Sequence, residues 1–542
     1  MGEPELPFAS RRSPVYAQRG MVATSQPLAT QAGLGILSQG GNAADAAVAT
    51  AAVLAVTEPM STGLGGDCFS LFYEGGTGRI TALNGSGRAP AGLTLDLLRE
   101  QGFATELPPF HAHTITVPGA CAGWCDLVER HGTRDLETIL EPAIRLAEDG
   151  FPVAPIAARA WAAGAERQLL HAPGGHELLL DGRAPRAGEV MQNPGLARVL
   201  TTIADGGKEA FYEGDIAKRV VEAVRGAGGV MTAEDLAAHE STWDEPISTV
   251  YRNVRVWECP PTGQGIAALL ALNILSEFDV PRDPLSADRL HLLIEALRLG
   301  FADAGRYVAD PGFGSIPIEG LLSRAYARER ARLVDPKKAT LTHRHGTPPA
   351  GPDTVYFSVV DGRGNACSFI NSNYWGFGTG IVPRGCGFSL QDRGLGFSLE
   401  PGHPNVLAPR KRPYHTIIPA MATREPDGSL YASFGVMGGF MQPQGHVQVL
   451  LALVVDGLDP QAALDRPRLC LEEGRPDGPV FLEEGMPLRT VKQLARMGHE
   501  VSVVSGHERA VFGRGQIILR DRETGVLCGG SDPRADGCAM GF

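Results

Sequence analysis

The sequence predicts an α+β chain, and three observations carry that reading. Runs of small and apolar residues at helical spacing dominate the first 330 positions, strand-like alternation dominates from Thr354 onward, and a polar, proline-rich stretch at 335–353 separates them. At 542 residues the chain exceeds the size at which a single core usually stops growing, so one large domain or two intertwined ones is expected.

The segment "QPLATQAGLGILSQGGNAADAAVATAAVLAVTEP" holds two helix patterns. The first follows Pro27 and ends at Gly40 and Gly41; the second runs from Asn42 to just before Pro59. The second is apolar nearly all round, as a helix buried in a core must be, and is too short to span a bilayer. Further helices are read at "LEPAIRLAEDGFPV" and at "SADRLHLLIEALRLGFADAGRYV", where Leu290, Leu293, Ile294, Leu297 and Phe301 form one stripe. Strands are read at "CFSLFYEGG" and "VRVWEC". The stretch "DPKKATLTHRHGTPPAGPD" then breaks every periodicity, as a mobile surface linker would. After it, "TVYFSVV", "NACSFIN", "GIVPRGCGFSL", "TIIPAMATR", "LYASFGVMGG", "VSVVS" and "GQIILR" read as strands, with one helix at "GHVQVLLALVVDG".

Composition narrows the function. A net charge of −12, from 61 acidic against 49 basic residues, leaves no cationic surplus for nucleic acid or anionic lipid, so a small-molecule substrate is expected and neither nucleic acid nor membrane is. Nine cysteines without a C-x-x-C pair read as reduced thiols. With no apolar leader and no acylation pattern at the N-terminus, the expected location is cytoplasmic.

The common catalytic devices, G-x-S-x-G, H-E-x-x-H and the Walker sequence, are missing. "GFGTG" and "GLGG" lack dinucleotide-loop spacing, and His343 and His345 stand in the linker without partner ligands. Thr354 offers another chemistry. A threonine hydroxyl becomes a nucleophile when a neighbouring base takes its proton, and the α-amine of the same residue can be that base, with a pKa of about 7.7–8.0. An internal threonine gains that amine if its own hydroxyl attacks the carbonyl of Asp353 and the chain is cut there. A loose segment upstream and a fixed strand downstream suit such a reaction.

"GGNAADAAVA", "GLGGD", "NGSGRAP", "TVYFSVVDGRGNA", "GFGTGIV", "RKRPYHTIIPA", "GVMGG" and "GGSDPRADG" follow one another from about Met21 to the C-terminus. In these motifs the chain resembles the γ-glutamyltransferase family of N-terminal-nucleophile hydrolases, proenzymes with a four-layer αββα core. The resemblance implies cleavage between Asp353 and Thr354, giving a helix-rich large subunit, 1–353, and a strand-rich small subunit, 354–542, that stay together as one intertwined domain. It also allows a homodimer of the processed pair. It makes Thr354 the nucleophile, Ser372 a second hydroxyl bonded to it, and Gly438 and Gly439 the source of the oxyanion-hole amides. Arg88 falls where the family clamps a substrate carboxylate.

The chain also departs from that pattern. Tyr374, Arg393 and Gly396 replace the Asn, Gln and Asp that usually surround the substrate α-amino group, and His415 and Thr416 replace a serine pair. Another carboxylate such as Asp392 could stand in for the lost one. The expected activity is hydrolysis of the γ-glutamyl amide of glutathione, or of a related small carboxylate-bearing amide. The alternatives are an oxamate-type or acylase-type amidohydrolase and an unprocessed pseudoenzyme with a binding role. No metal or organic cofactor is called for.

Overall fold

The computed structural model describes the backbone of residues 12–103, 105–341 and 353–542. In chain order the strands of its two large sheets are β1 (Val15–Ala17), β2 (Gly20–Thr24), β3 (Asp67–Tyr73), β4 (Ile80–Gly85), β5 (Thr242–Asp244), β6 (Ile247–Tyr251), β7 (Val254–Glu258), β8 (Asp353–Asp361), β9 (Ala366–Tyr374), β10 (Ala420–Arg424), β11 (Leu430–Met437), β12 (Arg514–Arg520), β13 (Leu527–Ser531) and β14 (Cys538–Gly541). One sheet has the order β14-β2-β8-β9-β3-β4-β5 and the other β1-β13-β12-β11-β10-β7-β6. Neighbouring strands in both are antiparallel.

Helices cover the outer face of each sheet. Against the first lie α1 (Pro27–Ser38), α2 (Ala43–Thr57) and α3 (Ala120–His131), with α4 (Leu136–Asp149) packed on α2; against the second lie α5 (Gly265–Leu275), α6 (Ala287–Tyr307), which packs on α5, and α7 (Met441–Val454). The result is the α+β, four-layer αββα arrangement expected from the sequence. Helix α2 is buried along its whole length, and Asn42 caps it with Asp45 returning a bond to the cap amide. An apolar helix of small residues lets the sheet and its helical neighbours approach closely.

Most strand expectations find their strand, "VSVVS" in a small three-stranded sheet of Leu469–Leu471, Val480–Glu483 and Val501–Val504. The exception is "GIVPRGCGFSL", residues 380–390, which forms no strand. Pro383 has no N–H for a ladder, and the segment folds back on itself: Leu390 N–H meets Ile381 O at 2.9 Å and Thr379 N–H meets Leu390 O at 2.8 Å. Of the expected linker, 342–352 lies outside the described residues. Its described beginning is tied down: Ala339 N–H bonds to Met497 O at 2.7 Å and Thr340 N–H to Glu295 Oε2 at 3.2 Å. No helix among the described residues is long and apolar enough to cross a membrane, and all nine cysteines are unpaired.

Tyr356 of β8 locks the two sheets face to face. Its ring lies over Gly435 of β11 so closely that a Cβ there would sit 2.5 Å from Cε2. Its hydroxyl meets Ser358 Oγ at 2.6 Å and Ser368 Oγ at 2.8 Å, and Ser433 of the opposite sheet donates to Ser358 at 3.0 Å. Gly435→Ala is therefore expected to displace the ring and cost about 1–3 kcal/mol in denaturant unfolding, whereas Gly76→Ala, where nothing lies within 4 Å of the added Cβ, should change stability by less than about 0.5 kcal/mol.

Candidate active site

Thr354 stands near the start of β8, in the middle of its sheet, and only 1% of it is exposed. The pairing Val355↔Asn371, continued one step, sets Thr354 opposite Ser372; the register then slips so that Asp353 lies opposite Tyr374. Asn373 is thus the extra residue of a bulge in β9, a device that re-aims side chains. The two hydroxyl oxygens are 3.1 Å apart and Ser372 is fully buried.

Two further predicted residues meet this pair, and a third, Thr416, joins through Arg393. Tyr374 N–H donates to Ser372 Oγ at 2.9 Å, and Arg393 Nη2 donates to it at 3.3 Å. Arg393 Nη1 donates to Thr416 Oγ1 at 2.8 Å, and its guanidinium lies 4.1 Å from the centroid of the Tyr374 ring. Arg393 is wholly buried, which pulls its pKa down, while Tyr374, Asp67 and Asp392 pull it up. Burial pushes the Tyr374 phenol up to about 12. Tyr374 also holds a φ of +80°, uncommon for a residue with a side chain and the kind of backbone strain found at functional sites.

His415 serves a carboxylate that the sequence reading did not single out. Asp67, from "GLGGD", accepts His415 Nε2–H at 3.0 Å, the amides of Gly87 at 2.9 Å and Gly119 at 3.3 Å, and Gln391 Nε2–H at 3.0 Å. Burial, then the charge of Arg393, lowers His415 to about 3, so the ring is neutral, with Nδ1 accepting Ile417 N–H at 3.4 Å. Gln264 is a second unforeseen member. Its Nε2 donates to Thr416 O at 2.7 Å and to Gly439 O at 2.8 Å, joining the arginine's partner to the glycine pair.

Gly438 and Gly439 lie between β11 and α7 with φ of +124° and +58°, backbone that favours glycine. Neither amide finds an acceptor among the described residues. Just before them, Met437 Sδ receives Tyr356 N–H at 3.3 Å, two residues along β8 from Thr354. Contacts thus run from Thr354 through Ser372, Arg393, Thr416 and Gln264 to Gly439.

Arg88 is not part of that chain of contacts. It is half-buried and donates to the carbonyl of Glu240 at 3.2 Å, an acceptor it shares with Arg412. Asp392 is fully buried; Oδ1 accepts Trp375 N–H at 3.1 Å, and Oδ2 has no partner among the described residues. A cavity of about 640 Å³ adjoins the group, lined by Tyr374, Gly394–Gly396, Tyr414 and Phe440, each next to or within two residues of a site residue.

Among the described residues, one group of three side chains has metal-ligand spacing: His291, Glu295 and His499. Their atoms are already engaged, His291 with His499 at 2.7 Å and with Asp335 O at 2.7 Å, and Arg298 with His499 at 3.2 Å and Glu295 at 3.1 Å. A guanidinium stands where a cation would have to sit, so the residues present do not fit a metal.

The molecule matches the gamma-glutamyltranspeptidase family model over residues 29–542. It is 38% identical over 536 residues to the glutathione hydrolase-like YwrD proenzyme of Bacillus subtilis, covering 97% of this chain and 99% of that one. It is 34% identical over 533 residues to the oxamate amidohydrolase proenzyme of Klebsiella pneumoniae, covering 96% and 98%. The crystal structure of a cephalosporin acylase from Bacillus halodurans superposes with a TM-score of 0.92 at 46% identity, over 100% of this chain and 99% of that one.

Burial raises the Asp392 carboxyl to about 7, against about 3.9 for an unfolded aspartate. The folded state therefore keeps a proton that the unfolded state loses, so this carboxyl's contribution to stability is full below pH ~4 and lost as pH rises to about 7. Asp392→Asn should remove that slope: in denaturant unfolding, its stability relative to wild type should rise with pH by about 1 kcal/mol or more per unit between pH 4 and 7, and a flat difference would contradict the burial of a protonated acid.

Proposed function

This chain belongs to the gamma-glutamyltranspeptidase family, and on that premise we propose that it is a self-processing amide hydrolase working through an ester on Thr354. Its activity is of the glutathione hydrolase or acylase and amidohydrolase type. The observation that carries the proposal is the buried pair of hydroxyls, Thr354 and Ser372, 3.1 Å apart across two central strands.

In processing, Thr354 Oγ1 attacks the Asp353 carbonyl. The peptide C–N bond breaks as the C–O ester forms, and water then hydrolyses the ester, leaving a carboxylate on Asp353 and a free amine on Thr354. In turnover that amine takes the hydroxyl proton, the oxygen attacks the substrate amide, and the proton passes to the departing amine before water releases the acid. Gly438 and Gly439 would supply amides to the oxyanion, a device whose loss costs about 3–4 kcal/mol per donor. Arg393 holds Ser372 and Thr416 in register.

After cleavage the two pieces, 1–353 and 354–542, remain one body because β8 and β9 lie between β2 and β3 in a single sheet. The substrate of this reading is the γ-glutamyl amide of glutathione or a related small carboxylate-bearing amide. Two observations favour an acylase-type or oxamate-type substrate beside it: Arg88 is engaged with Glu240, and position 396 offers no carboxylate.

Wild-type protein should run as two polypeptides under denaturing conditions, with a new N-terminus at Thr354 by mass spectrometry, and as one species under native conditions. Thr354→Ala should remain a single chain, with amide hydrolysis reduced by a factor of about a thousand or more. An intact wild-type chain that still hydrolyses amides would rule out the amine as base. Water is the expected acceptor, so added glycylglycine should change donor consumption by less than about twofold; marked acceleration with γ-glutamyl tripeptide formation would make the enzyme a transferase.

A further inference from the structure

The cavity that meets the Thr354 network at Tyr374 is larger than a scissile amide and its immediate substituents require. At about 640 Å³ it falls in the range of pockets that hold drug-sized ligands. Its walls include the rings of Phe301, Tyr374, Phe397, Tyr414 and Phe440. Its charged lining is one-sided. Glu106, Glu400 and Glu473 line it together with His403, and among the described residues no lysine or arginine does. Three cations stand next in sequence to this wall: Arg393 is fully buried and bonded to Ser372 and Thr416, with its guanidinium against the Tyr374 ring, Arg475 pairs with Asp477 at 3.4 Å, and Arg306 lies 5.7 Å from the centroid of the Tyr307 ring. Arg88 is held by Glu240. Glu473 adds an independent sign of function, a left-handed backbone with φ of +52° at a residue with a side chain, between Glu472 and a glycine that also lines the cavity.

Carboxylates set around aromatic faces form a receptor for a cation on an apolar body. The acids supply Coulomb attraction, while ring faces accept an ammonium through their quadrupoles and an aryl or alkyl body by burial. An anion placed there would face three like charges and, among the described residues, no lysine or arginine.

We propose that this cavity selects amides whose portion beyond the scissile bond carries an aromatic or alkyl body bearing a cationic group, such as an ammonium. The proposal rests on the reading of Thr354 as nucleophile and gives the substrate class of that same site. It places a molecule such as glutathione, which ends in a carboxylate, among the poorer substrates.

The test uses three γ-glutamyl anilides that differ only at the para position: aminomethyl as cation, ethyl as neutral isostere, carboxymethyl as anion. At pH 7.5 and low ionic strength, kcat/KM should rank cation over neutral over anion by about tenfold per step, and the ranking should compress as salt is added. Glu473→Gln and, separately, Glu400→Gln should each shrink the cation-to-anion ratio several-fold. The same compounds are titrated by calorimetry into Thr354→Ala protein, whose binding needs no turnover. If no anilide is hydrolysed but the Kd order holds, the nucleophile reading fails and the cavity assignment stands. A flat or reversed order in both measurements overturns the proposal. A charge order unmoved by either glutamate variant overturns it too, because the cation is then bound elsewhere.

Discussion

One register slip organises the site: the bulge at Asn373, which directly follows the Thr354–Ser372 pair and leads into the left-handed conformation of Tyr374. A regular ladder would continue past Ser372 with side chains alternating between the faces of the sheet. The slip instead brings the Tyr374 amide back onto Ser372 Oγ, at 2.9 Å, and leaves the tyrosine ring as a plate between Arg393 and the cavity side of the site. The strain at Tyr374 persists because the ring is fixed by the guanidinium and by burial, the over-determination that such a conformation requires.

Burying a guanidinium and a carboxylate near two hydroxyls is expensive unless every polar atom is met. Asp67 shows how the chain meets that cost. Its four donors come from the turn after β4, the start of α3, the irregular segment before Asp392 and the stretch after Tyr414. Four distant parts of the chain are thereby held to one carboxylate, which makes the network rigid as well as satisfied. Arg393 is met at both terminal nitrogens by hydroxyls and on its face by a ring, while its Nε has no partner among the described residues, and Gln264 ties the next layer to the glycine pair. Under the proposed mechanism this rigidity matters more than any single bond, because a nucleophile and its oxyanion donors act only when their geometry is held to within a fraction of an ångström.

The features legible in the sequence were those that depend on local pattern. The Asn42 cap and small-residue run predicted α2; alternation predicted β8 and β9; the switch from linker to strand marked Thr354. Ser372, Tyr374, Arg393 and Thr416 came through family motifs, and the structure gathers all four. What escaped was convergence. Asp67 lay inside a quoted motif, yet nothing local reveals that its donors come from far along the chain. Gln264 sits alone in "TGQG" with no pattern around it. Arg88 has the right charge in the right motif, but its direction is decided by the Glu240 carbonyl, a tertiary fact. "GIVPRGCGFSL" has the alternation of a strand, and its proline and internal carbonyl partners win over that pattern.

The electrostatics of the site follow from the same asymmetry. Three described cations are committed to the protein, Arg393 to hydroxyls and Arg88 and Arg412 to the carbonyl of Glu240. The carboxylates divide into two sets. Asp67 is fully used inside the network, and Glu106, Glu400 and Glu473 line the cavity. The interior charges therefore do structural work and cancel locally, while the field an entering molecule meets is set by the lining alone. A family scaffold whose resemblance pointed to a carboxylate clamp can in this way present the opposite preference, with Thr354, Ser372 and the glycine amides left in place.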